Sequence, residues 1–66
     1  MDETERENIK PGLRVAIVQK QDQPTGKLTE GNVAVILTSA SYHPRGIKVQ
    51  LQSGEVGRVQ EILGDG

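Results

Sequence analysis

The sequence predicts an all-β fold, a small barrel of four to five antiparallel strands made from one chain of 66 residues. Three observations predict it. Apolar and polar residues alternate in short runs, the period of two that marks a half-buried strand. Polar segments holding Gly or Pro separate those runs. Gly31 and Gly57 stand where the alternation changes parity, and a bend at each would let short strands curl into a sheet that meets itself.

The elements follow in chain order. Residues 1–8 carry Asp2, Glu3, Glu5 and Glu7 against Arg6, a net charge of −3, and read as a flexible acidic tail. Thr4 and Glu7 have capping-box spacing, but Pro11 and Gly12 leave little room for a helix. Lys10-Pro11-Gly12 is a turn into the first strand, residues 13–18, where Leu13, Val15 and Ile17 point one way and Arg14 and Ala16 the other. Residues 19–27 form a long polar loop shaped by Pro24 and Gly26. The second strand is expected over 28–37, with Val33, Val35 and Leu37 on one face, Leu28 at the opposite parity, and the bend at Gly31. A second loop, 38–45, holds the chain's one Tyr and one His.

The clearest signal is the hairpin over 46–62. Ile47, Val49 and Leu51 alternate with Lys48 and Gln50. Gln52-Ser53-Gly54-Glu55 forms the turn, and a return strand runs from Val56 to Ile62, with Gly57 between the mismatched Val56 and Val59. A 3₁₀ turn near Ile62 and Leu63 would add a fifth edge. This pattern reads as an SH3-like barrel over residues 9–63, with tails at 1–8 and 64–66.

Composition limits the core. Hydrophobic residues make up 33% of the chain, with no Phe, Trp or Cys. The core must therefore be a small aliphatic cluster worth about 3–5 kcal/mol, without disulfide support. No apolar run approaches the roughly 20 residues of a membrane helix, and the amino terminus lacks the apolar stretch of a signal peptide. The expected location is cytoplasmic, and the expected state a monomer. Residues 9–64 carry Lys10, Arg14, Lys20, Lys27, Arg45, Lys48 and Arg58 against Asp22, Glu30, Glu55 and Glu61, a net +3, while Asp65 adds −1. A mildly basic body between acidic ends permits contact with a polyanion.

Two resemblances enter on particular residues. In residues 12–37, Gly12 opens a strand, Val15 and Ile17 alternate, Gly31 follows a polar loop, and Val33 and Ile36 come after it. This resembles a KOW motif. KOW modules are SH3-like barrels of ribosomal proteins and transcription elongation factors, so the resemblance implies contact with RNA or protein. Residues 8–63 carry a closer one. Its motifs are Asn8-Ile9-Lys10-Pro11-Gly12, Asp22-Gln23 with Thr25-Gly26-Lys27-Leu28-Thr29, His43-Pro44 with Gly46-Ile47-Lys48-Val49, and Val56-Gly57-Arg58-Val59. They are similar to those of the small bacterial and archaeal YwbE-like family. That resemblance implies a fold and domain boundaries and leaves the activity open.

Several chemistries fail on residue types. Thr25-Gly26-Lys27-Leu28-Thr29 lacks the earlier Gly and the Ser or Thr after Lys27 that a phosphate-binding loop needs. One His and no Cys argue against zinc. Ser39 or Ser41 with His43 has no orienting acid in the sequence pattern. The expectation is a non-catalytic protein with no metal and no cofactor.

The candidate nucleic-acid-binding residues are Lys20, Lys27, Tyr42, His43, Arg45, Lys48 and Arg58. Lys20 and Lys27, with Gln21 and Gln23, lie on the first loop and suit backbone phosphates. Tyr42 offers a stacking face, or alternatively covers one end of an aromatic-free core. His43 and Arg45 share its loop. Lys48 and Arg58 are expected to point outward on neighbouring strands, a small basic stripe that Glu55 and Glu61 would partly neutralise. The expected partner is RNA or a ribonucleoprotein. The second expectation is an SH3-like protein-interaction adaptor, although a chain without Trp or Phe is poorly equipped for a proline-rich ligand.

Overall fold

A computed structural model describes residues 4–65. Among them, β1 is Leu13–Gln19, β2 Leu28–Ile36, β3 Lys48–Leu51 and β4 Val56–Asp65. All pairings are antiparallel, and β4 returns to β1 so that the sheet closes into a barrel. The fold is the small all-β barrel expected of an SH3-like domain. Single 3₁₀ turns at Arg6–Asn8 and Lys20–Asp22 are the helical elements among the described residues.

The core is the aliphatic cluster that composition requires. Leu13, Val15 and Ile17 of β1 meet Val33, Val49, Leu51 and Val59 inside the barrel, with Ile9 and Ile47 sealing it and Ile36 and Ile62 packed against it. The alternation of 47–51 reads directly into this core, and so do Leu13, Val15 and Ile17 of β1. Ala16, expected on the outer side, is also buried where β4 bulges against β1. The β3–β4 turn closes through Leu51 N–H to Glu55 O at 2.8 Å and Gly54 N–H to Leu51 O at 2.9 Å.

The bulges are not at the glycines. β1 and β2 pair regularly through Gly31, and the shift in β2 falls between Val33 and Val35, at Ala34. Val33 is therefore inside, but Val35 and Leu37 are 48% and 47% exposed, and Ile36 takes the inward position. The shared face expected for Val33, Val35 and Leu37 does not exist, because the bulge reverses parity after Val33. Gly31 has a packing role instead. A Cβ there would stand 2.8 Å from Leu51 Cδ1, so its missing side chain makes room for Leu51.

β4 repeats this lesson. Its register is regular across Gly57. The shifts against β1 skip Gln60 and Leu63. Ile62 and Leu63 belong to β4 rather than to a 3₁₀ turn, so no fifth element forms there. Gly57 permits close approach of two strands, since a Cβ on it would lie 2.4 Å from Val18 O.

The expected tails divide. Residues 1–3 and 66 lie outside the described residues. Residues 4–8 rest on the 38–43 loop. Arg6 N–H donates to Ser41 O at 2.8 Å, His43 N–H to Thr4 O at 2.8 Å, and Arg6 Nε to Thr38 O at 2.9 Å. Gly64 and Asp65 extend β4 opposite Arg14 and Leu13.

Candidate functional site

The site begins with strand register. Val18 of β1 is opposite Leu28 of β2 on one side and Arg58 of β4 on the other, and Arg58 is opposite Lys48 of β3. Ile17, Val49 and Val59 are fully buried, so strand alternation turns their neighbours Val18, Lys48 and Arg58 outward. Leu28, Val18, Arg58 and Lys48 thus form one row across the outside of the barrel. The outward pairing of Lys48 with Arg58 follows from the hairpin register.

Two open clefts lie along this row. The first, of about 520 Å³, is lined by Val18, Leu28, Gln23, Arg45, Arg58 and Gln60, with Gly26 at its border. The second, of about 570 Å³, includes Lys20, Lys48, Arg58, Gln21 and Glu55. Val18, Gln23 and Arg58 belong to both. Arg58 is therefore the wall between an apolar cleft with a polar margin and a cationic one.

This wall is held in place. Arg58 Nη1 donates to Gly46 O at 3.2 Å, Gln60 Nε2 to Arg45 O at 3.0 Å, and Val59 N–H to Ile47 O at 2.9 Å. Together they pin residues 45–47 to β4. Gly46 makes the docking possible: its φ is +100°, and a Cβ would stand 2.1 Å from Val59 O. The bulge at Gln60 turns its amide toward this contact.

Charge in the clefts is largely uncompensated. Among the described residues, the ion pair is Arg14 Nη2 to Glu30 Oε1 at 3.5 Å, apart from the row, and none of Lys20, Lys27, Arg45, Lys48 and Arg58 pairs with a carboxylate. Glu55 does line the cationic cleft. Its carboxylate accepts from the Ser53 hydroxyl, and that bond, with a backbone hydrogen bond, holds its pKa below the ordinary value. Glu61, expected to help neutralise the basic stripe, is opposite Ala16 instead.

The structure brings Lys20, Arg45, Lys48 and Arg58 to these adjoining clefts. Lys27 is exposed between Gly26 and Leu28, both of which line the first cleft. Tyr42 lies apart. It is 57% exposed and outside the core, so it does not cover the barrel end. It is bridged to Glu5 and shares a separate cleft of about 290 Å³ with Glu5, Glu7 and Ser41. His43 is half-buried beside it, its Nδ1 accepting from Arg45 N–H at 3.1 Å.

Sequence reasoning missed Val18, Leu28 and Gln60 as lining residues. Leu28 announced itself by its odd parity, and Gln60 by the three-residue spacing from Val59 to Ile62. Among the described residues no group of three or more His, Cys, Asp or Glu is placed to hold a metal, and no helix is long and apolar enough to cross a membrane.

Comparison with known proteins places the barrel in a family. Residues 2–62 match the model of a family described as uncharacterized conserved protein (DUF2196). The chain belongs to this family. It is 54% identical over 63 residues to the uncharacterized protein YwbE of Bacillus subtilis (strain 168), covering 96% of this chain and 97% of that one. The YwbE-like resemblance read from the Asn8–Gly12 and Val56–Val59 motifs is thereby established. No solved structure matches the chain.

Proposed function

We propose that this YwbE-like barrel is a non-catalytic RNA-binding module acting in the cytoplasm, alone or within a ribonucleoprotein. One observation carries the reading: Lys20, Arg45, Lys48 and Arg58 line two adjoining clefts with no carboxylate paired to any of them among the described residues. Phosphate contacts supply most of the affinity of sequence-tolerant nucleic-acid binders, and cations on a strand-built surface suit that task. The KOW-like run over 12–37 supports the same reading. Tyr42 is not needed for it, since that ring shares no cleft with the cations.

Titration of the protein with short single-stranded RNAs tests the proposal. Neutralising three or four phosphates predicts a log–log salt slope of roughly −2 to −3 for a single strand, with low-salt dissociation constants in about the tens of micromolar or tighter. Absence of binding at that concentration overturns it. A second reading, a protein-interaction adaptor, is favoured by exposed Val35 and Val56, both opposite Gln50 on the outer surface, with Leu37 close by through its N–H to Lys48 O at 2.8 Å. Partners retained from lysate after nuclease treatment would support the adaptor, and partners lost with it the RNA module.

A further inference from the structure

Resting on the RNA reading, we infer that the two clefts divide a single nucleotide unit between them. An unstacked base lies in the Val18–Leu28 cleft, and the adjoining phosphate lies against Lys20 and Lys48, with Arg58 between. The site is thus specific for single-stranded nucleic acid over bare polyanion and over duplex.

Leu28 sets the character of the first cleft. It is 44% exposed and, with Val18, gives the first cleft an apolar surface. A site for phosphate alone has no use for that surface. A base does, because its face favours contact with apolar groups and with planar guanidinium groups such as those of Arg45 and Arg58.

The cleft margin suits a base edge as well. Gln60 gives its Nε2 to the Arg45 carbonyl. Its Oε1 accepts no hydrogen bond among the described residues and can receive a base amino or imino hydrogen. Gln23, exposed and common to both clefts, adds a second amide. Arg58 is prepositioned by its bond to Gly46 O, so one edge of the guanidinium is anchored while the rest faces the clefts.

The second cleft differs. Lys20 and Lys48 are point charges without planar faces, and Glu55 beside them discourages indiscriminate accumulation of anions. Since Arg58 and Val18 line both clefts, base and phosphate must come from the same or adjacent nucleotides. A base paired within a duplex cannot enter without being unpaired and unstacked first, which sets the preference for single strands.

The test is a competition measured by fluorescence anisotropy on the full chain. The competitors are an eight-nucleotide single-stranded RNA, an abasic ribose-phosphate oligomer of equal length, and a blunt RNA duplex. The RNA should bind about tenfold more tightly than the abasic oligomer, as expected for one base–surface contact, and more tightly than the duplex. Leu28→Ser, at an exposed position, should remove most of that preference and keep the salt slope. Lys48→Gln should weaken RNA and abasic oligomer alike and reduce the slope by about 0.7. Equal binding of RNA and abasic oligomer by the unmodified protein overturns this inference and leaves the RNA module standing. If nothing binds, both fall.

Discussion

Two faces of this barrel carry opposite chemistry. The row from Leu28 to Lys48 is strand-built, and it presents Arg58 and Lys48 beside apolar Val18. The face around Tyr42 is built by a loop and the 3₁₀ turn docked on it, and it presents Glu5 and Glu7 beside the chain's one aromatic ring. A total charge of −1 conceals this separation. Net charge is a sum, whereas a partner meets the local field. The cationic face is positioned by strand register and by the side-chain bonds of Arg58 and Gln60 to residues 45–46. The acidic face depends on a few backbone bonds from residues 4–6.

The largest expected effect breaks the cationic face at its support. Gly46→Ala places a Cβ where Val59 O stands and forces a left-handed backbone on an L-residue. A cost of about 3 kcal/mol or more would consume most of the stability of so small a core. Urea denaturation should show a largely unfolded or greatly weakened protein. Tyr42→Ala, at an exposed ring, should lose less than about 1 kcal/mol in the same measurement.

Binding sharpens the contrast next. Arg58→Ala removes the group common to both clefts and should weaken single-stranded RNA by about tenfold. Tyr42→Ala should change the affinity by less than about twofold. Equal losses in the two variants would show that the faces act as one surface.

Arg6→Ala addresses the acidic face at its contact with Thr38, whose hydroxyl accepts from Lys48 N–H at 2.7 Å. It removes the Nε bond to Thr38 O, worth about 1 kcal/mol. Amide exchange at Tyr42 and His43 should accelerate, while the amides of Leu51 and Val59, bonded to Glu55 O and Ile47 O, keep their protection.

The smallest effect concerns Glu55. Glu55→Gln removes a negative charge from the cationic cleft and should raise RNA affinity by about two- to threefold at low salt. The Ser53 hydroxyl lowers the folded-state pKa of this carboxyl. Its contribution to stability is therefore present above the ordinary carboxylate pKa and lost as pH falls through the lowered folded-state value. The stability difference between wild type and Glu55→Gln should accordingly shrink on acidification, as read from denaturation midpoints. The carboxyl lies at the surface, where water screens it, so the change is small.

Much of the barrel was legible because its local rules agree. Ile47, Val49 and Leu51 alternate without interruption, and Lys48 and Arg58 fall outward by the same periodicity. Where a strand carries an unpaired residue the rule fails, and parity alone does not locate the fault. Gly31 and Gly57 were natural suspects for the bulges, yet the extra residues are Ala34, Gln60 and Leu63. The glycines answer a different demand, the close approach of Leu51 and of the Val18 carbonyl from elements distant in sequence. The candidate site divides in the same way. The hairpin cations could be paired on sight, whereas the company kept by Tyr42 depends on the path of residues 4–8.

Side-chain alternation and turn chemistry act over a few residues, so the sequence by itself determined an all-β chain, its four strands, an aliphatic interior and an outward Lys48 beside Arg58. The positions of the bulges and the gathering of Leu28, Val18, Arg45 and Gln60 around Arg58 were decided only by the tertiary structure. The reason is physical. Closing a barrel requires a particular stagger between strands, and that stagger is settled by contacts between residues tens of positions apart, whose combined packing outweighs local preference.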